Sequence, residues 1–204
     1  MARAFTQLTF TDAVKETQRR YGTREHAARL EASPDVRDAL TAELIAFIAE
    51  RDGFFIATAN AAGWPHLQHR GGPRGFLKVL DQHSLAFADF AGNKQFLTMG
   101  NLAENDRVCL FLLDYAEARR VKLWGHARIV EDPALLQTLI MPGYHGKAER
   151  AVRIEVAAWD INCRQHITRR FSAAEIAPTL AQYEERIAAL QARIAELQAK
   201  TGAL

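Results

Sequence analysis

The chain has 204 residues, of which 49% are hydrophobic and 25% are charged, and its formal net charge is +2 at pH 7. This composition is that of an ordinary globular protein with one main domain, and the charge is too small to predict a nucleic-acid partner. Since two cysteines make no disulfide framework and no apolar run approaches the roughly 20 residues of a membrane span, we expect a cytoplasmic protein without a membrane partner.

The first fifty residues carry helical patterns. Helices are predicted over residues 11–21, 25–31 and 35–51. The third is the clearest, because Ser33 provides an N-cap, Pro34 suits a first helical turn, and apolar side chains follow at helical spacing. We interpret residues 1–52 as a helical segment that packs on the domain that follows.

From residue 53 the pattern changes to short apolar segments separated by turn residues. Strands are predicted over residues 54–58, 64–69, 76–80, 85–89, 108–113, 121–130 and 150–159. About seven strands at this spacing, most of them joinable as hairpins, favour an antiparallel barrel over a doubly wound sheet. Short helices are predicted at 94–99, with Asn93 as N-cap, and at 133–140. The predicted barrel domain spans 53–171.

The last thirty residues predict one long helix, which begins with a capping box at Ser172 and Glu175. Apolar side chains then alternate at spacings of four and three: Ile176, Leu180, Tyr183, Ile187, Leu190, Ile194 and Leu197. This is a heptad seam with mostly Ile at a and Leu at d, which leans toward two parallel strands, although the e and g positions offer little complementary charge. For residues 172–204 two interpretations stay open: pairing with a partner helix in an oligomer, which the narrow stripe favours, or packing on its own domain.

One segment of the predicted barrel contains no acidic residue. It lies between Asp52 and Asp81 and contains three glycines between Arg70 and Lys78, together with several basic side chains. Cations beside glycine-rich backbone suit a bound anion, most simply a phosphate. Lys94, at a predicted helix start, would add a cation where backbone N–H groups are free. The alternative is a set of solvated surface cations beside ordinary turn glycines.

Four ordered blocks make the segment recognisable. RGGPRGFLKVL, LAFADFAGNKQ, GNLAENDRVCLFLLD and VKLWGHARIV resemble the pyridoxamine 5'-phosphate oxidase-like family of FMN-binding split barrels, over about residues 40–165. The resemblance implies a mainly β fold with flanking helices, built on a six-stranded antiparallel split barrel. It also implies a homodimer with one FMN in each of two clefts at the dimer interface.

The resemblance also implies a set of site residues. Lys78 corresponds to the family's strand lysine, which approaches the flavin ring and ribityl chain, and 93–95 corresponds to the segment that holds the phosphate. Pro73 stands where the oxidases have an arginine, so either Arg70 or Arg74 substitutes or the phosphate has fewer cations. The predicted cofactor-binding residues are Arg70, Gly71, Gly72, Arg74, Phe76, Leu77, Lys78, Asn93, Lys94, Gln95, Arg120 and Trp124.

Two members of this set have a less specific role. Arg120 lies near a position that contacts the isoalloxazine ring in the family. Trp124, on a central strand, either stacks on a flavin or packs in the protein. The seven histidines show no metal-binding spacing, so no metal site is predicted.

The predicted function is FMN-dependent oxidoreduction of a small molecule. The substrate is expected to differ from that of the vitamin B6 oxidase, because the chain ends in AWDINCRQHI and a helix where that enzyme has its substrate signature. Lys78 is the candidate for positive charge near N1 and the C2 carbonyl of the flavin. No catalytic residue can be assigned. The alternatives are a non-enzymatic flavin-binding protein, or a protein that binds haem or a deazaflavin.

Overall fold

The computed structural model describes residues 3–162 and 165–201. Contacts divide the chain into two compact units. The larger unit comprises Met1–Asp114 and Arg119–Gln165, and the smaller comprises Tyr115–Ala118 and His166–Leu204. No helix in the described ranges is both long enough and apolar enough to cross a membrane.

The larger unit is built on one antiparallel sheet. Its strands are β1 (Gly53–Ala59), β2 (Pro65–Gly71), β3 (Lys78–Asp81), β4 (Ser84–Phe90), β5 (Arg107–Asp114), β6 (Arg119–Val130) and β7 (Ala148–Asn162). Their order across the sheet is β2-β1-β5-β6-β7-β4-β3. The seven strands expected from periodicity are confirmed. The number six implied by the family resemblance is wrong, because every segment, including the four-residue edge strand β3, pairs with a neighbour.

The sheet curls into a split barrel. Its two edge strands, β2 and β3, are joined by only six residues, which reach at most about 25 Å, whereas the edges of a flat seven-stranded sheet lie about 29 Å apart. The curl brings Arg70 of β2 within 2.6 Å of Asp89 on β4. In the described chain β2 and β3 do not pair with each other, which leaves the barrel split.

Alternate residues of the strands fill the barrel interior. The Phe54 ring lies 5.6 Å from that of Phe76 and 5.3 Å from that of Phe87. Phe76 and Leu77, in the loop between β2 and β3, are among the most deeply buried side chains. At Gly125 the register of β6 against β7 shifts, and a Cβ there would overlap the Glu155 carbonyl oxygen.

Helices flank the barrel. They are α1 (Ala4–Thr9), α2 (Asp12–Arg20), α3 (Arg24–Glu31), α4 (Ala42–Ala49), α5 (Leu97–Glu104) and α6 (Pro133–Leu139). The helix predicted from residue 35 is wrong in its first half, because α4 begins only after Thr41, whose side chain caps Leu44 N at 3.2 Å. The segment before it bonds to other elements instead, with the Ala39 carbonyl accepting from Trp159 Nε1 and Leu40 N donating to the Gln82 carbonyl.

The smaller unit consists mainly of α7 (Ala173–Thr201), 29 residues long. The predicted capping box is confirmed: Glu175 Oε2 accepts from Ser172 N at 2.7 Å, and Ser172 Oγ accepts from Glu175 N at 3.3 Å. In the same unit the guanidinium of Arg170 lies 5.2 Å from the centre of the Tyr115 ring.

Candidate functional site

A cavity of about 350 Å³ opens between β2, the end of β4, the start of β7 and the start of α5. We call it the β2–α5 pocket. Its polar lining consists of His66, Gln68, Arg70, Asp89, Asn93, Lys94, Gln95, Thr98, Glu149 and Arg150. Every second residue of β2 contributes, because alternate side chains of a strand share one face.

Two arginines share one carboxylate on the pocket wall. Asp89, which is 7% exposed, accepts from Arg70 Nη1 at 2.6 Å and from Arg150 Nη1 at 3.2 Å. Arg150 also pairs with Glu149 at 3.0 Å. The Nε of Arg70 is buried and has no acceptor among the described residues. One guanidinium donor at this wall therefore remains to be satisfied.

The loop before α5 supplies the other cationic wall. Lys94 and Phe96 both adopt the left-handed region, with φ of 57° and 55°, a conformation that costs non-glycine residues of the order of 1–3 kcal/mol and is concentrated at ligand-binding sites. The Lys94 side chain is exposed and has no ion-pair partner in the ranges that the structure describes. The helix predicted to begin at 94 is wrong: Asn93 instead accepts from Gln95 N at 3.2 Å within the loop.

Helix α5 points its first turn at the pocket. The N-cap residue Phe96 makes no side-chain capping bond, and Leu97, Thr98 and Met99 line the cavity. Thr98 Oγ1 donates to Gln68 Oε1 at 2.7 Å, which ties this turn to β2. Uncapped N–H groups at a helix N-terminus favour an anion.

The structure brings together four of the twelve predicted cofactor residues, Arg70, Asn93, Lys94 and Gln95. Arg74 is exposed and pairs with Glu50 at 3.2 Å, and Phe76 and Leu77 lie in the barrel core. Gly71 ends β2, and Gly72 N donates to the Asp52 carbonyl at 2.9 Å. Lys78 is half-buried opposite Ala86, on the edge strand β3, and does not line the pocket.

Arg120 and Trp124 lie on another surface, which we call the outer sheet face. Two cross-strand rows form it: Leu67, Ala57, Cys109 and Trp124, and beside them His69, Phe55, Phe111 and Lys122. Trp124 stacks on Phe5 of α1, with ring centroids 5.8 Å apart. Arg120 lies opposite Leu113 at the next position along β6. Burial raises the pKa of the Cys109 thiol, and the Lys122 charge opposes that rise.

The sequence interpretation missed Asp89 and Arg150 as pocket residues. A signal for Asp89 does exist: it follows Leu85 and Phe87 on the inward face of β4, and a carboxylate at such a position needs a cationic partner. No local pattern marks Arg150, because only the pairing of β7 with β4, Asp89 opposite Arg150, places it there.

Comparison with known proteins identifies the fold and the family. The family model described as pyridoxamine 5'-phosphate oxidase matches residues 40–165, which is more than half of the chain. The chain therefore belongs to the pyridoxamine 5'-phosphate oxidase-like split-barrel family. No curated protein matches it in sequence.

The solved structures that align with the chain are distant in sequence. HupZ of Group A Streptococcus aligns with a TM-score of 0.50 and 14% identity, over 64% of this chain and 99% of HupZ. A candidate pyridoxamine 5'-phosphate oxidase of Lactobacillus delbrueckii gives 0.47 and 18%, over 60% and 94% of the two chains. An FMN-binding protein of Syntrophomonas wolfei gives 0.46 and 8%, over 59% and 87%. At these identities only the fold is comparable.

Proposed function

We propose that this chain binds FMN with the phosphate in the β2–α5 pocket, and that it uses the flavin to oxidise or reduce a small molecule. One observation carries the proposal. Arg70 and the 93–95 segment are more than twenty residues apart in sequence, yet they line one cavity together with the uncapped start of α5. Because the chain belongs to the pyridoxamine 5'-phosphate oxidase-like family, a flavin is the ligand expected in this cavity.

The charges of the pocket fit a phosphate. Arg70, Arg150 and Lys94 bring three cations, and Asp89 and Glu149 bring two carboxylates, so the side chains leave an excess of positive charge. The ammonium of Lys94, which is exposed and has no ion-pair partner among the described residues, is a donor available to a ligand. A phosphate dianion accepts several such bonds, each stronger than a neutral one.

The pocket residues and Lys78 would have different roles in binding FMN. Lys94 and the first N–H groups of α5 would bind the phosphate oxygens, and the Asn93 and Gln95 amides would orient it. Asp89 holds Arg70 and Arg150 in place at the wall. When bound, FMN would supply the hydride or electron transfer, and the chain would contribute position and positive charge. We assign that charge to Lys78, which is half-buried and without an ion-pair partner in the described ranges.

The outer sheet face supports a homodimer as part of the proposal. Its most exposed apolar side chain is Leu67, which is 65% exposed and lies beside the half-buried side chains of Ala57 and Phe55. Exposed apolar patches of this kind mark protein interfaces. A second copy docked on this face would bring Arg120 of one protomer toward a cleft shared by two, as the family resemblance implies.

The test is the identity of the bound cofactor. The purified protein should be yellow, and the cofactor released by heat should be FMN. Anaerobic addition of NADH and NADPH would then show whether either reduces the flavin. A colourless protein that takes up no added FMN contradicts the proposal.

Two other outcomes would select an alternative. FMN that binds tightly but is reduced by no donor would favour a non-enzymatic flavin-binding protein. A Soret band after addition of haem would favour haem binding, for which His66 places an imidazole in the pocket.

A further inference from the structure

Helix α7 presents an uncovered heptad seam. Its seven seam side chains, Ile176, Leu180, Tyr183, Ile187, Leu190, Ile194 and Leu197, are between 41% and 64% exposed. Every side chain from residue 173 to residue 200 is exposed. A helix gains most of its stability from packing an apolar face, so this face requires a partner.

The width of the stripe indicates what the partner is. A helix that packs on a sheet or a globular core has an apolar face of 100° or more, whereas a strict a/d stripe matches the groove of another helix. The seam runs without a fault over three heptads, and Pro178 lies at an f position, on the side away from it. Ile187 and Ile194 at a, with Leu190 and Leu197 at d, favour a two-stranded coil.

The flanking charges decide the orientation. The g positions are Arg186, Arg193 and Lys200, and the e positions from residue 184 onward are Glu184, Gln191 and Gln198. In a parallel pair each g side chain meets an e side chain, so Arg186 faces Gln191 of the other helix and Arg193 faces Gln198. In an antiparallel pair g meets g, which places Arg186 against an arginine. Like charges at these positions oppose that orientation.

We propose that α7 pairs in parallel and in register with α7 of a second copy of this chain. Identical helices satisfy this arrangement, because each seam layer then meets the same layer of its counterpart about a two-fold axis. The pairing is independent of the flavin site. It would act as a tether that raises the effective concentration of the two larger units for each other.

Cysteine cross-linking in the full-length chain tests the pairing. In a Cys109→Ala, Cys163→Ala background, Leu180→Cys and Ile194→Cys place single thiols near opposite ends of the seam. Parallel, in-register helices bring each thiol to its own counterpart, so both variants should form disulfide-linked dimers on mild oxidation at low protein concentration. Ala192→Cys, at an f position, is the matched control and should remain largely unlinked.

The contrary results are distinct. An antiparallel pair would link neither variant to itself but would link a mixture of Leu180→Cys and Leu197→Cys chains. A helix packed elsewhere would link no better than the control. Either result overturns the proposal.

A second pair of variants ties the cross-link to the seam. Adding Ile187→Asp to the Leu180→Cys chain should reduce the linked fraction at least tenfold, since a carboxylate at an a position is buried in the pair. Adding Ala188→Asp, at a b position, should leave the linked fraction unchanged. Equal effects of Ile187→Asp and Ala188→Asp on the linked fraction would contradict the pairing of α7, even where the larger units of two copies associate with each other.

Discussion

The β2–α5 pocket and the outer sheet face lie on the two sides of the same strand, β2, and they offer a ligand different chemistry. The pocket side carries Gln68 and Arg70, whereas the outer side carries Leu67 beside apolar residues of β1 and β5. Neighbouring residues of a strand point to opposite faces. Of the residues predicted for one flavin site, four therefore line the pocket, for which we propose phosphate binding, whereas Arg120 and Trp124 lie on the outer sheet face, for which we propose a partner.

The largest expected effect is on the stability of the pocket wall. Asp89→Asn should lower the free energy of unfolding by about 3 kcal/mol, because it leaves two largely buried guanidinium groups without their shared carboxylate. Urea denaturation would measure it. Glu43→Gln is the control, since its pair with Arg119 is exposed on the carboxylate side and should be worth less than about 1 kcal/mol. Similar losses of stability for both variants would mean that the Asp89 ion pairs contribute no more than an exposed pair.

A charged side chain introduced on the outer sheet face should weaken the association of two copies of the chain. Leu67→Asp should weaken the proposed homodimer by roughly tenfold or more, because burying a leucine contributes about 1.5–3 kcal/mol. Sedimentation at several concentrations would measure the change. Tyr21→Asp, at a side chain that is 70% exposed after α2, should have no effect. A dimer indifferent to Leu67→Asp would place the interface elsewhere.

Substitutions in the pocket and on the outer sheet face should also differ in whether they change the affinities for FMN and riboflavin alike. If Arg120 lies near the flavin ring, as the family resemblance implies, Arg120→Gln should weaken FMN and riboflavin binding equally, by about fivefold, because such a residue does not distinguish ligands that differ only in phosphate. Flavin fluorescence titration would give both Kd values. A loss of affinity for FMN but not for riboflavin would mean that Arg120 contacts the phosphate.

The smallest effect concerns Cys109 on the outer face. Burial raises the pKa of its thiol, so at a given pH it holds less thiolate than an exposed cysteine. In a Cys163→Ser chain, the rate of alkylation by iodoacetamide should keep rising with pH beyond about 8.5, the ordinary range of a thiol. A plateau below that pH would contradict the burial of this side chain. Leu67→Asp should accelerate the reaction if a partner covers the face.

Much of the barrel could be predicted because short apolar segments, alternation and turn residues are local signals. All seven strand segments were located from these signals, and Ser172 and Glu175 marked the start of α7 by another local signal, the capping box. The start of α4 could not be found, because Ser33 and Pro34 form a sound local cap while the backbone of residues 36–40 bonds to distant elements. The hydrogen bonds of residues 36–40 to distant elements therefore outweigh the local preference of this segment for a helix.

The site was predictable to the extent that its residues lie in recognisable segments. Arg70 and Lys94 were found in this way. Asp89 and Arg150 reach the pocket only because the sheet curls and β4 pairs with β7, and no spacing in the sequence reports that closure. The resemblance implied flavin contacts for Lys78 and Arg120, but in a single chain neither lines the pocket.

The most direct test of the account is the effect of Lys94→Ala on the affinities for FMN and riboflavin. Loss of one charge-assisted bond to phosphate should raise the Kd for FMN by about 10- to 100-fold, equivalent to roughly 1.5–3 kcal/mol, and leave the Kd for riboflavin within about twofold. Arg74→Ala, whose side chain is exposed beside Glu50, is the matched control and should change neither. An equal loss of FMN and riboflavin in the Lys94→Ala chain would contradict a phosphate site in the β2–α5 pocket.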